Sequence, residues 1–155
     1  MYETALILHN VLRLVVVALT LWVVLRAFQG WRGRRPFGAT DRLNALVLTI
    51  LVDTQLVIGL LLHFVWSPVT KNAMADMGAA MKDPSLRKFV VEHPVLMIAG
   101  IALVHAGKLA AKGASNDAGR HRRTFVFLSI ALILFLIGTP WPFQEVGRPW
   151  LRMGG

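Results

Sequence analysis

Apolar residues run along this chain in four long blocks, separated by stretches that hold most of the charge. The first block, residues 6–28, is interrupted by His9, Asn10, Arg13 and Arg26. The second, 43–66, holds Asn44, Asp53, Gln55 and His63. The third, 89–109, holds Glu92, His93 and His105, and the fourth, 125–139, has no charge at all. A bilayer core about 30 Å thick takes roughly 20 apolar residues per helix. The pattern therefore predicts an all-α protein, a transmembrane four-helix up-down bundle with spans at about 6–28, 43–66, 89–109 and 123–140. The last span stops at Pro140-Trp141-Pro142-Phe143, where proline ends a helix and the aromatics suit the membrane interface. The first block lacks the basic leader and small-residue cleavage site of a signal peptide, so it reads as a retained helix.

Residues 67–91 are long for a helix connection. Within them, Asp83-Pro84 has the form of an N-cap followed by proline at the first helical position. A short helix from there into the third span is expected, with a kink or restart at Pro94 that places Glu92-His93 at the joint. No repeat, low-complexity stretch or second domain interrupts the chain.

Composition agrees with this picture. The 155 residues are 55% hydrophobic and 16% charged, against about 25% charged in ordinary soluble domains. The absence of cysteine excludes disulfide frameworks, thiol catalysis and iron–sulfur ligation. The net charge of +9 is unevenly placed. Ten of the 17 basic residues flank the first-to-second and third-to-fourth connections. By the positive-inside rule both termini and the 67–91 loop lie on the outer side, periplasmic if the membrane is a bacterial inner membrane. Arg148 and Arg152 then sit on the outer tail. The basic loops lack interleaved aromatics and face anionic lipid heads, so the high charge calls for no nucleic acid.

Polar groups inside spans carry the functional information in such a chain. At 1.5 Å per residue, His9 lies about 10 Å, and His63 and His93 each about 5 Å, below the outer ends of their helices. Three histidines from three helices thus converge in the outer leaflet. Arg13, one turn below His9, reaches about the depth of Asp53. The expectation is a buried Arg13–Asp53 pair, or Arg13 bound to an anionic ligand group. Gln55, Gly59 and His63 form one stripe, and His93, Met97, Gly100, Val104 and Gly107 another. Glycine beside histidine leaves room either for a flat ligand or for close helix packing.

Haem b needs one or two axial ligands in an apolar helical bundle. His9 with His93 is the first pair, His63 with His93 the second, and Met97 a substitute ligand. His105 is turned about 120° from the His93 face and reads as a histidine hydrogen-bonded within the bundle. One haem is therefore the count. The histidines with Met74, Met77 and Met81 offer a copper or small-ligand carrier as an alternative, although that methionine spacing also marks a segment lying on the membrane. A non-catalytic subunit of a larger membrane complex is a further alternative. His121, in a basic loop, reads as solvated.

Several stretches resemble small four-helix bacterial inner-membrane proteins labelled cytochrome b: Leu8-His9 with Arg13, Gln55 with Gly59, residues 77–83, Glu92-His93, and the closing Pro140-Trp141-Pro142-Phe143. The resemblance implies a membrane b-type cytochrome, similar to the cytochrome b561 type that moves electrons between quinol and an outer acceptor. His9 and His93 would be its ligands. The chain departs from that type in having fewer paired histidines. Arg13 would hold a haem propionate, with Gln55 and Asp53 lining a quinone or proton path. Partners would be the lipid bilayer, a quinone or redox protein, and further copies or subunits.

Overall fold

A computed structural model describes residues 1–143, and all regular structure among them is helical. Helix α1 spans Tyr2–Arg32. Helix α2 spans Ala39–Leu61 and widens into a π turn, Leu62–Trp66. Three short helices follow: α3 Pro68–Ala75, α4 Met77–Lys82 and α5 Pro84–Arg87. A second π turn, Lys88–Glu92, leads into α6, His93–Lys112, and α7 spans Asp117–Gly138. Four helical stretches are long and apolar enough to cross a membrane: Tyr2–Arg32, Ala39–Trp66, Pro84–Lys112 and Asp117–Gly138. Arg148 and Arg152 lie outside the described residues.

The bundle closes as a ring. Helix α1 packs on α2 and α7, α6 packs most closely on α7, and α2 meets α6 only sparsely. The shared core holds Val16 and Val23 of α1, Leu48 and Val52 of α2, Val104 of α6, and Ala131 and Phe135 of α7. The outer surface is apolar as well. Trp22, Ile50, Val57, Ile133 and Ile137 are each more than half exposed, an arrangement that suits lipid rather than water.

Glycines explain why α6 sits so close to α7. A Cβ at Gly107 would come 2.7 Å from Phe127, and one at Gly100 would press into the ring of Phe135. This part of the second glycine stripe is helix packing.

All four spans extend beyond their hydropathy blocks, and the fourth does so most at its start. Helix α7 begins at Asp117, capped by Asn116, whose side chain accepts from the Gly119 amide at 2.8 Å. Arg120, Arg122 and Arg123 are therefore helical. Hydropathy marks the lipid core, whereas the helix continues through the charged interface.

The 67–92 segment forms a helical cap over one end of the bundle. Ser67, Asp76 and Asp83 cap its three helices, and Asp83 accepts from the amides of Ser85 and Leu86 at 2.8 and 3.0 Å. The Asp83-Pro84 start is as expected, but two further helices precede it. Ala73, Ala80 and Val90 give the cap a small core of its own. Lys88 fastens the cap to α7 by donating to the Ile137 carbonyl at 2.9 Å.

At the opposite, basic end, Asp41 joins α1 to α2. Its carboxylate accepts from Arg26 Nε at 2.7 Å and from the Gly38 amide at 2.9 Å. Here also lies His121, expected to be solvated. It is fully buried, its ring held against Gly30 and 5.0 Å from the ring centre of Phe37. Proximity to arginines in sequence suggested solvent, but the position on α7 turns this side chain inward between α1 and the connection after it.

Candidate functional site

The cap end of the bundle brings together chemistry from three helices. From α1 come His9, Asn10 and Arg13, from α2 Gln55 and Gly59, from the π turn that continues it His63, and from α6 His93 and Met97. Two cavities of about 130 and 80 Å³ lie here, the first under the cap and the second deeper in the bundle. His9, Arg13, Gly59, His63 and His93 line both.

Both π turns border the site. Pro94 has no N–H, so the helix before it cannot keep its regular bonding. The chain widens instead, and the His93 amide bonds the Lys88 carbonyl five residues back. The joint expected near Glu92-His93 is this turn. The other π turn contains His63, whose carbonyl accepts from the Thr70 hydroxyl of the cap at 2.7 Å. Such widened turns are frequent at functional sites because they re-aim single side chains.

The rings of His9 and His93 meet edge-to-face, with centres 6.2 Å apart and planes at 73°. His93 donates from Nδ1 to the Gly138 carbonyl at 2.9 Å, which fixes its ring and leaves Nε2 available. The Nδ1 atom of His9 is buried and has no hydrogen-bond partner among the described residues. Gly59 lets the His9 ring lie against α2, since a Cβ there would come 3.2 Å from His9 Cε1. Gln55 reaches across and donates to the His9 carbonyl at 2.9 Å, tying α2 to α1 at this level. Two imidazoles on opposite sides of one metal, each nitrogen about 2 Å from it, have ring centres about 6 Å apart. The His9–His93 centre-to-centre distance of 6.2 Å is close to that value. Among the described residues no three His, Cys, Asp or Glu side chains cluster as a metal site.

Arg13 is buried, and its guanidinium lies 5.8 Å from the ring centre of Trp141. The expected Arg13–Asp53 pair is not formed. Asp53 instead binds His105 of α6, with 2.8 Å between Oδ1 and Nε2. Equal depth is only one coordinate. Asp53 and Gln55 are two residues apart on a helix and so point to nearly opposite sides. With Gln55 toward α1, Asp53 must face α6. It lines neither histidine cavity, whereas Gln55 lines the deeper one. His105 is hydrogen-bonded within the bundle, and the pair bridges the sparse α2–α6 seam.

The remaining expected donors separate. Glu92 turns to Arg87 at 2.8 Å rather than into the cavities. Met77 and Met81 are exposed on the cap and Met74 packs against the cap's own core, so none of these three sulfurs lines a histidine cavity. Met97 lines the deeper cavity, and its methyl lies against Gly138. Asn10, buried at 7% exposure, and Thr70 and Phe89 of the cap line the first cavity without having been expected there. A signal for Asn10 exists: it lies three residues before Arg13 and so shares its face. The cap residues gave none, since only tertiary folding brings the loop over the histidines.

Compared with family models, curated proteins and solved structures, the chain gives no match. The residues and their geometry carry the functional argument alone.

Proposed function

We propose that this chain is a membrane b-type cytochrome that carries electrons through one haem held by His9 and His93. The observation that carries the reading is the pair of imidazoles from α1 and α6, with ring centres 6.2 Å apart within an apolar bundle. Haem supplies one-electron redox chemistry when bound. The chain's own residues do the rest. The Gly138 carbonyl orients His93, Gly59 gives His9 its place, and Gln55 holds α1 against α2. Arg13, lining both cavities, has the charge and donors that a propionate requires.

The deeper cavity reaches the outer surface of the bundle at Leu60 and Ile98, both lining and exposed. A quinol dissolved in the bilayer would approach by this side. The charge distribution supports placing the histidine end, with both termini, outside a bacterial inner membrane, where an acceptor protein would meet it. The resemblance to small four-helix proteins labelled cytochrome b points the same way.

Expression in haem-replete cells and a reduced-minus-oxidised spectrum test the reading. A b-type Soret and α band is expected from the purified wild type. His9→Ala and His93→Ala should each abolish it, while His63→Ala should retain it. A colourless, folded protein would overturn the proposal in favour of a non-catalytic subunit. A band that survives His9→Ala but not His63→Ala would move the ligand pair to His63 and His93.

A further inference from the structure

A cavity larger than either of the two histidine cavities lies away from them. It is a crevice of about 630 Å³ at the basic end of the bundle, where α2 and α6 separate over α7. Its depth is apolar: Leu48, Val104 and Leu128, all buried, form the walls. Its mouth is cationic, with Arg42 from α2, Lys108 and Lys112 from α6, and Arg120 from α7. Among the described residues no acidic side chain lines it. Lys108 and Lys112 form no ion pair among the described residues. Arg120 is 3.6 Å from Asp117 through Nη1, but its buried Nε has no hydrogen-bond partner there. His105 of the Asp53–His105 bridge also lines the crevice, which shares no lining residue with either histidine cavity.

We infer that this crevice holds one anionic phospholipid, its phosphate against the four cations and an acyl chain between α2 and α6. The shape has a cause in the sequence. Gly100 and Gly107 draw α6 onto α7, and across the gap α2 sets the small Ala45 between Arg42 at the mouth and Leu48 in the wall. An apolar slot beneath a ring of cations, opening at the membrane interface, matches a molecule that is anionic at one end and hydrocarbon at the other. The phosphate would satisfy Arg120 Nε, and the chain would fill space that no side chain occupies. A soluble phosphate would leave the slot empty, and a zwitterionic lipid would lack the net charge that the mouth selects. This inference stands independently of haem.

The test uses the full chain reconstituted in phosphatidylcholine vesicles containing phosphatidylglycerol, then extracted in mild detergent for native mass spectrometry. One retained phosphatidylglycerol per chain is expected, in preference to phosphatidylcholine. Removing cations weakens such binding about fivefold each, so Arg42→Gln/Lys108→Gln/Lys112→Gln should lower retention on the order of a hundredfold. Arg32→Gln/Arg34→Gln/Arg122→Gln, which removes equal charge outside the crevice, should leave it unchanged. Ala45→Phe fills the slot without altering charge and should also release the lipid. Helicity and monodispersity confirm that each variant is folded. Equal loss in both triple variants, equal retention of the two lipids, undiminished retention in Ala45→Phe, or a second protein copy in place of lipid would each overturn the proposal.

Discussion

Gly30 and His121 show how single residues set the spacing of this bundle. The His121 ring fills the space where a Cβ on residue 30 would stand, and it is fully buried. Gly30→Ala therefore forces α1 from α7 or displaces the ring, at a cost of about 1–3 kcal/mol. Thermal unfolding in detergent should show a clear drop. Gly78→Ala is the control, because the nearest atom to its added Cβ is 3.5 Å away and alanine suits a helix better. It should leave the melting temperature unchanged or raise it; an equal loss in both would discount the ring contact. At this scale the sequence was partly legible. Depth along each span brought His9, His63 and His93 to one level, and they line the same cavities. Azimuth was the missing coordinate for Arg13, Asp53 and His121. For Asp53 it could have been taken from Gln55 two residues on, but for His121 it depends on how α7 packs.

At the scale of elements, the joints between helices differ sharply in what they contribute. The Arg26–Asp41 contact lies at a buried joint, with Asp41 only 7% exposed and also bonded to the α2 N-terminus. Replacing Asp41 by alanine strands the Arg26 charge and should destabilise the protein by about 3 kcal/mol. The Arg87–Glu92 contact has almost the same length, 2.8 Å, but both side chains are about 40% exposed. Glu92→Gln should cost no more than about 1 kcal/mol. Chemical denaturation of the two variants side by side distinguishes the joints; similar losses would mean that burial does not govern them. Block boundaries showed the four spans and the Asp83-Pro84 start. They did not show the π turns or the cap, because these depend on the missing N–H of Pro94 and on hydrogen bonds such as Thr70 to His63.

For the whole molecule, the two ends of the bundle are chemically opposite, and this predicts its direction in the membrane. Arg26, Arg32, Arg34, Arg35 and Arg42 gather at the α1–α2 connection, and Lys108, Lys112, Arg120, Arg122 and Arg123 at the α6–α7 connection. The cap carries Lys71, Lys82, Arg87 and Lys88, offset by Asp76, Asp83 and Glu92. Moving the richer end across a membrane would mean translocating the larger number of arginines and lysines in short loops, which insertion disfavours. The histidine cavities would then open toward the outside and the lipid crevice toward the anionic inner leaflet, so one orientation serves both proposals. The chain has no cysteine, which makes a clean labelling test feasible. Gly78, exposed on the cap, and Ser115, exposed between α6 and α7, report on opposite ends. In intact cells a membrane-impermeant maleimide should label Gly78→Cys at once and Ser115→Cys only after permeabilisation. The reverse pattern would place the histidine cavities on the inner side, and with them the proposed electron-transfer site. It would also turn the crevice away from the leaflet whose anionic lipids its four cations match.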